Sequence, residues 1–320
     1  MLKINLLVNR ILHIFTSVIL CVILICGCSV SPEISSESAN FVTFKDALDR
    51  NVTVSKIPQR VAALIGSFAD IWQLAGGTVC ATADDAWEDF GLELPNAVNI
   101  GGAHSPSVER LLSADPDFVI ASASTGSNIA MKEILESAGI TVAFFDIDCF
   151  DDYLKMLKIC TDITGRDDLY NKYGTEIKKQ IENIKSEFAE IDVPKEQRTV
   201  LLLRASSGAV KAKGSEGTVL GEMLKDMGCI NIADNDKSLL ENLSIENIIS
   251  CEPYRIFVVT MGDEKAATDN IKRMLGENPA WSKLSAISDE RIYIMDRKLF
   301  NLKPNSHWAE AYEKLQEILQ

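Results

Sequence analysis

Ser67 lies in a turn that could carry chemistry. The stretch AALIGSFADIWQLAGG (62–77) runs from an apolar strand pattern into a helical one through Gly66-Ser67-Phe68. A hydrolase nucleophile at such a turn needs the pattern Gly-x-Ser-x-Gly, with an acid and a histidine further along the chain. The second glycine is missing here, and the chain has neither a Gly-x-Gly-x-x-Gly motif after its first strand nor a P-loop. We therefore predict that the protein is not an enzyme.

Metal-binding side chains are scarce. After residue 27 the chain has only two histidines, His104 and His307, and its cysteines show no Cys-x-x-Cys spacing. A bare zinc or manganese ion needs a cluster of histidines and carboxylates, so we expect no metal site and no resident cofactor. A haem ligand stays open, because one or two axial ligands hold it and His104, His307 and Met261 are candidates.

Four cations fall where an anionic ligand would need them. Arg204 follows a run of aliphatic residues, so its charge emerges at the end of a predicted strand, and Lys213, Arg297 and Lys303 lie on segments expected near the same rim. An arginine there can bind carboxylate or catecholate oxygens with two hydrogen bonds. The whole chain carries a net charge of −14, which argues against nucleic acid and anionic lipid as partners.

The elements that position these residues are those of an α/β protein. Six short, β-branched runs predict buried parallel strands: RVAALIG, FVIASAS, TVAFFDI, TVLLLRA, RIFVVTMG and RIYIMD. Helical patterns lie between them. From Asp167 to Phe188 apolar residues recur every three or four positions, which predicts one amphipathic helix of about 33 Å.

The first 40 residues predict export. Residues 1–27 have Lys3 and Arg10 before a short apolar run, as a signal peptide does. The run ends in LICGCS, which resembles the lipobox of bacterial lipoproteins and makes Cys28 the predicted lipid anchor. The alternative is an uncleaved single-pass anchor. Residues 28–40 are rich in Ser, Pro and Glu and predict a flexible tether, so the protein is expected on the outer face of the cytoplasmic membrane.

Two parts of the sequence repeat in order. SVERLLSADPDFVIAS (107–122) is echoed by SIENIISCEPYRIFVV (244–259), and ADIWQLAGG (69–77) by GEMLKDMGC (221–229). The first pair predicts a capped helix that stops before a proline and leads into a strand, with Ser244 as one cap. The second pair places Asp70 and Glu222 at equivalent positions. Two similar lobes joined by the long helix follow from this order.

The same motifs resemble those of the substrate-binding lipoproteins of iron-complex and cobalamin ABC importers. Three further stretches contribute to the resemblance: VTFKDALDRNVTVSKIPQRVAAL, KGSEGTVLGEMLKDMG and NPAWSKLSAISDERIYIMD. These lipoproteins form the class III, or cluster A, binding proteins, and the resemblance covers residues 41–320. It implies two lobes, each with a central, mainly parallel β-sheet flanked by helices, joined by one long α-helix. The expected boundaries are 41–166, 167–191 for the helix, and 197–320.

The resemblance also implies a ligand in a shallow cleft between the lobes, delivered to an ABC permease with its ATPase by a monomeric binding protein. We expect a ferric, siderophore-like chelate, with haem or a corrinoid as the alternative and a cell-surface sensor or adhesion domain as the second alternative. One acid per lobe, here Asp70 and Glu222, would dock on the permease. The expected ligand-contacting residues are Ser67, Phe68, Trp87, His104, Ser105, Thr125, Arg204, Lys213, Met261, Arg297, Phe300, Lys303 and His307.

Overall fold

The computed structural model describes residues 40–320, of which residues 41–320 form one compact unit. The predicted signal peptide, Cys28 and all but the last residue of the predicted tether lie outside the described residues. In the part that the structure describes, no helix has both the length and the apolar character to cross a membrane.

The first lobe is built on a five-stranded parallel sheet of order β5-β4-β3-β6-β7, preceded by an antiparallel hairpin of β1 and β2. The strands are β1 Phe41–Lys45, β2 Asn51–Ser55, β3 Val61–Ala63, β4 Val79–Thr82, β5 Val98–Asn99, β6 Phe118–Ser122 and β7 Thr141–Phe145. The helices between them are α1 Gly66–Leu74, α2 Asp85–Glu88, α3 Val108–Ser113, α4 Gly126–Ala130 and α5 Lys132–Ser137.

Helical segments then lead to the second lobe: α6 Phe150–Thr164, α7 Asp167–Tyr170, a π-helical turn Asn171–Thr175 and α8 Glu176–Ala189. The predicted long helix therefore exists, with a π turn inside it. Gly174 is buried in that turn, and an added Cβ would lie 3.2 Å from Leu154 of α6. Ile177, Ile181 and Ile184 form the buried face of α8, as their spacing predicts.

The second lobe has a sheet of order β10-β8-β11-β12, parallel throughout, with β9 antiparallel to β8. Its strands are β8 Thr199–Ala205, β9 Val210–Lys213, β10 Ile230–Asn231, β11 Arg255–Thr260 and β12 Ile292–Ile294. Its helices are α9 Val219–Asp226, α10 Ile232–Asn235, α11 Lys237–Glu241, α12 Ile245–Cys251, α13 Glu264–Glu277, α14 Ser285–Ser288, α15 Arg297–Phe300 and α16 Trp308–Leu319, with 3₁₀ turns at Lys195–Arg198, Pro279–Lys283 and Asn305–His307.

One apolar core joins the two lobes. Because side chains alternate between the faces of a strand, each sheet has an inner and an outer set. Val200 and Leu202 of β8 belong to the same buried cluster as Phe118 and Ile120 of β6. The buried side chains on the outer face of each sheet form a separate cluster within that sheet's own lobe. The inner faces of both sheets therefore share one core.

The sequence repeat is also a structural repeat. Ser107 and Ser244 cap α3 and α12, each accepting a hydrogen bond at 3.3 Å from the backbone N–H three residues on. Past the ends of these helices, Asp115 and Glu252 both adopt left-handed backbone conformations, with φ of 48° and 43°, directly before a proline. The two units thus share the cap, the helix and the uncommon backbone turn that leads into the next strand.

Candidate functional site

The inner faces of the sheets continue beyond the core at the carboxyl ends of the strands. Arg204 lies on β8 two residues after Leu202, so it points to the same inner side. Met261 follows β11, two residues after the inner residue Val259, and is 47% exposed. Ligands of parallel α/β sheets bind at the carboxyl ends of strands, which places the candidate site between the two lobes.

A cluster of three cations lies on one face of the β8–β9 hairpin. Arg204 pairs with Lys211, and Leu202 with Lys213, so Arg204, Lys211 and Lys213 share a face of the antiparallel pair. None of the three has a carboxylate within 4.0 Å among residues 40–320. Burial lowers the pKa of Lys213, and the nearby Arg204 lowers it further. We call Arg204, Lys211 and Lys213 the hairpin cations.

Arg204 is the most deeply placed hairpin cation. Its Nε is buried and has no hydrogen-bond partner in the described structure. Burial also lowers the pKa of the guanidinium, an effect that Asp148 opposes. An acceptor atom that enters the cleft would therefore complete this side chain.

Lys303 already has protein partners. Its ammonium donates a hydrogen bond to the carbonyl of Ile147 and lies 3.7 Å from Asp148 Oδ1, both in the first lobe. Burial lowers the pKa of Lys303 and raises that of Asp148, while the attraction between the two charges opposes both shifts. Lys303 thus lies at the candidate site as a paired charge.

Arg297 does not offer a free guanidinium to a ligand, contrary to our expectation. Its two Nη atoms donate hydrogen bonds to the two carboxylate oxygens of Asp89, at 2.7 and 3.0 Å. Asp89 directly follows α2 in the first lobe. This bidentate ion pair therefore links the two lobes.

Ser67, Phe68 and Phe300 lie in the interior and do not face the cleft as expected. They are 5%, 1% and 3% exposed. Phe68 packs edge-to-face on Phe145, with ring centroids 6.3 Å apart. The cause is tertiary: Asn305 donates hydrogen bonds to the Ser67 carbonyl and the Asp70 carboxylate at the start of α1, and Phe68 and Phe300 both belong to the shared core.

The other expected contacts have accessible surface. Trp87 is packed on the core with part of its ring exposed, and His104 and Ser105 are exposed in the loop before α3. Thr125 is half-buried and donates a hydrogen bond from its hydroxyl to Ser122 Oγ at 3.0 Å. His307 is exposed, and its Nδ1 lies 2.9 Å from Glu310 Oε2.

The two acids expected to dock on the permease are not freely exposed. Asp70 is half-buried and accepts a hydrogen bond at 2.7 Å from Asn305 Nδ2; burial raises its pKa. Glu222 is also half-buried, and burial raises its pKa too. It lines a groove with Lys185 of α8 and Tyr312 of α16. Asp70 and Glu222 nonetheless occupy equivalent positions in two similar helices, because each lies six residues before a glycine with a left-handed backbone conformation.

Three further residues are candidates beyond the expected set. Lys211 belongs to the hairpin cations, and the alternation in VKAK was the signal for it. Glu109 and Glu246 are exposed at the second position of α3 and α12, each two residues after its capping serine. Both stand at the same place in the quoted repeat, which was the available signal.

No group of three or more His, Cys, Asp or Glu side chains suited to a metal ion occurs within residues 40–320.

The two-lobed architecture, with cations at the carboxyl ends of its strands, fits a substrate-binding protein, and comparison with known families agrees. The periplasmic binding protein family model matches residues 61–299, so the chain belongs to that family. The chain is 26% identical over 303 residues to the Fe(3+)-citrate-binding protein YfmC of Bacillus subtilis, covering 90% of each chain. Two solved structures share its two-lobed α/β fold, which confirms the predicted fold class. Staphylococcus aureus IsdE complexed with heme has 15% sequence identity and a TM-score of 0.67, over 81% of this chain and 98% of that one. The vitamin B12 binding protein BtuF of Vibrio cholerae has 16% identity and a TM-score of 0.66, over 82% of this chain and 97% of that one.

Proposed function

We propose that the protein is the extracytoplasmic substrate-binding lipoprotein of an ABC importer and that it captures an anionic ferric chelate in the cleft between its lobes. The observation that carries the ligand class is the set of hairpin cations, which have no carboxylate partner in the described chain although the protein is strongly acidic. The name of the Bacillus subtilis relative, an Fe(3+)-citrate-binding protein, supports the same class.

The cleft has different chemistry on its two sides. The second lobe supplies the hairpin cations, and Arg204 can bind two oxygens of a carboxylate or catecholate at once. The first lobe supplies the partly exposed Trp87, which can pack on a flat part of the chelate, and the hydroxyls of Ser105 and Thr125. In such a complex the chelator supplies the coordinating atoms of the iron, so the protein binds the outer surface of the chelate.

We propose that residues 1–27 are removed and that Cys28 carries the lipid. Residues 28–40 then connect the binding unit to the outer face of the cytoplasmic membrane, where it meets the permease and its ATPase as a monomer. Two further Bacillus subtilis relatives are named ABC transporter substrate-binding lipoproteins, which supports this placement. The boundaries 41–166, 167–191 and 197–320 stay our proposal for the two lobes and the helix between them.

For docking on the permease we now favour Glu109 and Glu246 over Asp70 and Glu222. A docking acid must reach a partner, and Asp70 is already hydrogen-bonded by Asn305. Glu109 and Glu246 are exposed, lie on equivalent capped helices, and occur once in each lobe. They therefore meet the requirement of one accessible acid per lobe.

Haem is the second candidate ligand, and corrinoids the third. The observation that favours haem is Met261, which is 47% exposed at the carboxyl end of β11, where its sulfur can act as an axial ligand. The family match gives no support to a sensor or adhesion role.

Tryptophan fluorescence of residues 29–320 tests the proposal. Trp87 is half-buried, whereas Trp72, Trp281 and Trp308 are at most 3% exposed, so a ligand in the cleft changes mainly the Trp87 signal. We expect submicromolar saturation by ferric citrate or another anionic ferric chelate, and weak binding of haem and cobalamin. Tighter binding of haem or cobalamin would overturn the ligand class, and no binding of any of them would overturn the function.

A further inference from the structure

Residues 296–308, which we call the strap, belong to the second lobe by sequence but contact the first. The strap leaves β12, and Asn301 Nδ2 donates a hydrogen bond at 2.9 Å to the carbonyl of Thr260, the last residue of β11. Leu299 and Phe300 are buried in the shared core. The strap is thus firmly attached to the second lobe at its start.

Three residues of the strap make polar contacts with the first lobe. Each is an interaction between residues more than 150 positions apart in the chain, and together they reach three separate segments of the first lobe. The contacts are Arg297 with Asp89, Lys303 with the Ile147 carbonyl, and Asn305 with the Ser67 carbonyl and the Asp70 carboxylate.

Asn305 is the most constrained of these residues. It is fully buried and has a φ of 53°, a left-handed conformation that asparagine tolerates better than most residues. Its Nδ2 donates hydrogen bonds to Ser67 O at 2.9 Å and to Asp70 Oδ2 at 2.7 Å. An uncommon backbone conformation persists where surrounding contacts fix it, and here those contacts lie on α1.

The helices that the strap contacts are joined to each other. The N–H of Gly66, the first residue of α1, donates hydrogen bonds at 2.9 Å to both carboxylate oxygens of Asp85 in α2. Trp87 lies in α2, two residues before Asp89. The strap therefore contacts both ends of an α1–α2 unit that carries Trp87, the aromatic residue expected to contact the ligand.

We propose that the strap is the positioning element of the binding site: it fixes α1 and α2 against the second lobe and so sets the separation between Trp87 and Arg204. In this role Arg297 and Asn305 select ligands by size without touching them. A chelate fits when its anionic edge reaches the hairpin cations while its flat part contacts Trp87. The ligand part of this inference rests on the function proposed above.

Hydrogen exchange on the unliganded protein, residues 29–320, tests the positioning directly. Arg297→Ala removes one contact, and Asn305→Gly removes the amide while keeping a left-handed backbone accessible. In both variants we expect amide exchange in α1 and α2 to be about tenfold faster than in the wild-type protein, or more. We also expect acrylamide to quench the fluorescence of Trp87 more strongly. The matched control is Arg291→Ala, because Arg291 pairs with Asp289 inside the second lobe.

A charge exchange separates positioning from a general loss of structure. The double variant Asp89→Arg with Arg297→Asp restores the ion pair with the two charges swapped. We therefore expect the rate of amide hydrogen exchange in α1 and α2 to return toward the wild-type rate. The affinity for ferric citrate should fall about fivefold in the single variants and recover in the double one.

Two results bear on different claims. If exchange in α1 and α2 and the quenching of Trp87 are no greater in Arg297→Ala and Asn305→Gly than in Arg291→Ala, the strap has no positioning role. If wild-type protein binds no ferric citrate, that ligand is wrong, whereas the exchange and quenching data on the unliganded protein still decide on the strap.

Discussion

At the scale of single residues, Arg204 stands out because its buried Nε has no hydrogen-bond partner and no carboxylate lies within 4.0 Å of it among residues 40–320. A buried donor without an acceptor costs about 1 to 3 kcal/mol, and an anionic ligand that supplies the acceptor removes that cost. We therefore predict that Arg204→Gln lowers the affinity for ferric citrate by about tenfold to a hundredfold. The measurement is the Trp87 fluorescence titration at two salt concentrations.

A matched arginine far from the cleft gives the control for this prediction. Arg166 is exposed and paired with Asp168, so Arg166→Gln should leave the affinity unchanged. An Arg204→Gln variant that binds ferric citrate as tightly as wild type would show that the hairpin cations do not bind the ligand.

Asp85 makes stability depend on pH. Burial raises the pKa of Asp85 from 3.8 to about 6, although the hydrogen bonds from Gly66 oppose the shift. Because the folded state then holds its proton more tightly than the unfolded state, the contribution of Asp85 to stability is greatest below about pH 4. It falls as the pH rises to about 6, by about 3 kcal/mol at most.

Asp85→Asn should remove this pH dependence, because the amide oxygen still accepts a hydrogen bond from Gly66 and no buried charge forms. We expect the variant to be at least as stable as wild type at pH 7, and to gain less than wild type on going to pH 4.5. Urea unfolding of both proteins at the two pH values measures the difference. An identical pH dependence in the two proteins would show that Asp85 does not titrate in this range.

The sequence locates the charges at this scale but not their partners. Arg204 and Arg297 both lie near the end of a strand, yet Arg297 is paired with Asp89, a residue 208 positions earlier, whereas Arg204 has no carboxylate within 4.0 Å among residues 40–320. Asp70 shows the same limit, since Asn305, 235 positions later, covers it. Such pairings depend on tertiary contacts, which composition and spacing do not contain.

At the scale of elements, Gly66 explains the turn that resembles a nucleophile turn. A Cβ on Gly66 would lie 2.5 to 2.7 Å from backbone atoms of Asp85 and Ala86, so the glycine is needed for the close approach of α1 and α2. We predict that Gly66→Ala destabilises the protein by about 3 kcal/mol. Thermal and urea unfolding measure this cost.

Gly126 is the matched control, since it is also the first residue of a helix. Nothing lies within 4 Å of a Cβ added there, so Gly126→Ala should be neutral or slightly stabilising. Equal stability of the Gly66→Ala and Gly126→Ala variants would contradict the close approach of α1 and α2.

Elements with a strong local signal were predictable. The six apolar runs all contain strands, and Ser244 caps its helix as expected. The two-residue strands β5 and β10 carry too few residues for a pattern, and the π turn in the long helix depends on Gly174 packing against α6. The strap could not be predicted, because the contacts that hold it against the first lobe join residues more than 150 positions apart in the chain.

At the scale of the whole molecule, the shared core and the strap join the lobes at several places. The inner faces of both sheets enter one apolar cluster, and polar contacts from three strap residues, Arg297, Lys303 and Asn305, join the lobes as well. Large hinge closure would have to break these contacts. We therefore expect nearly the same outer surface with and without ligand, so that docking on a permease would depend on fixed features of each lobe.

Glu109 and Glu246 are the fixed features we expect to matter. Both are exposed, and the repeat places one on each lobe. The double variant Glu109→Arg with Glu246→Arg should bind ferric citrate as wild type does, because neither residue belongs to the cleft, and should abolish iron uptake in cells that contain the permease. Charge reversal of Glu133 and Glu264, exposed acids on other helices, is the control and should leave uptake intact. Normal uptake with the Glu109 and Glu246 variant would refute this docking pair and direct attention back to Glu222.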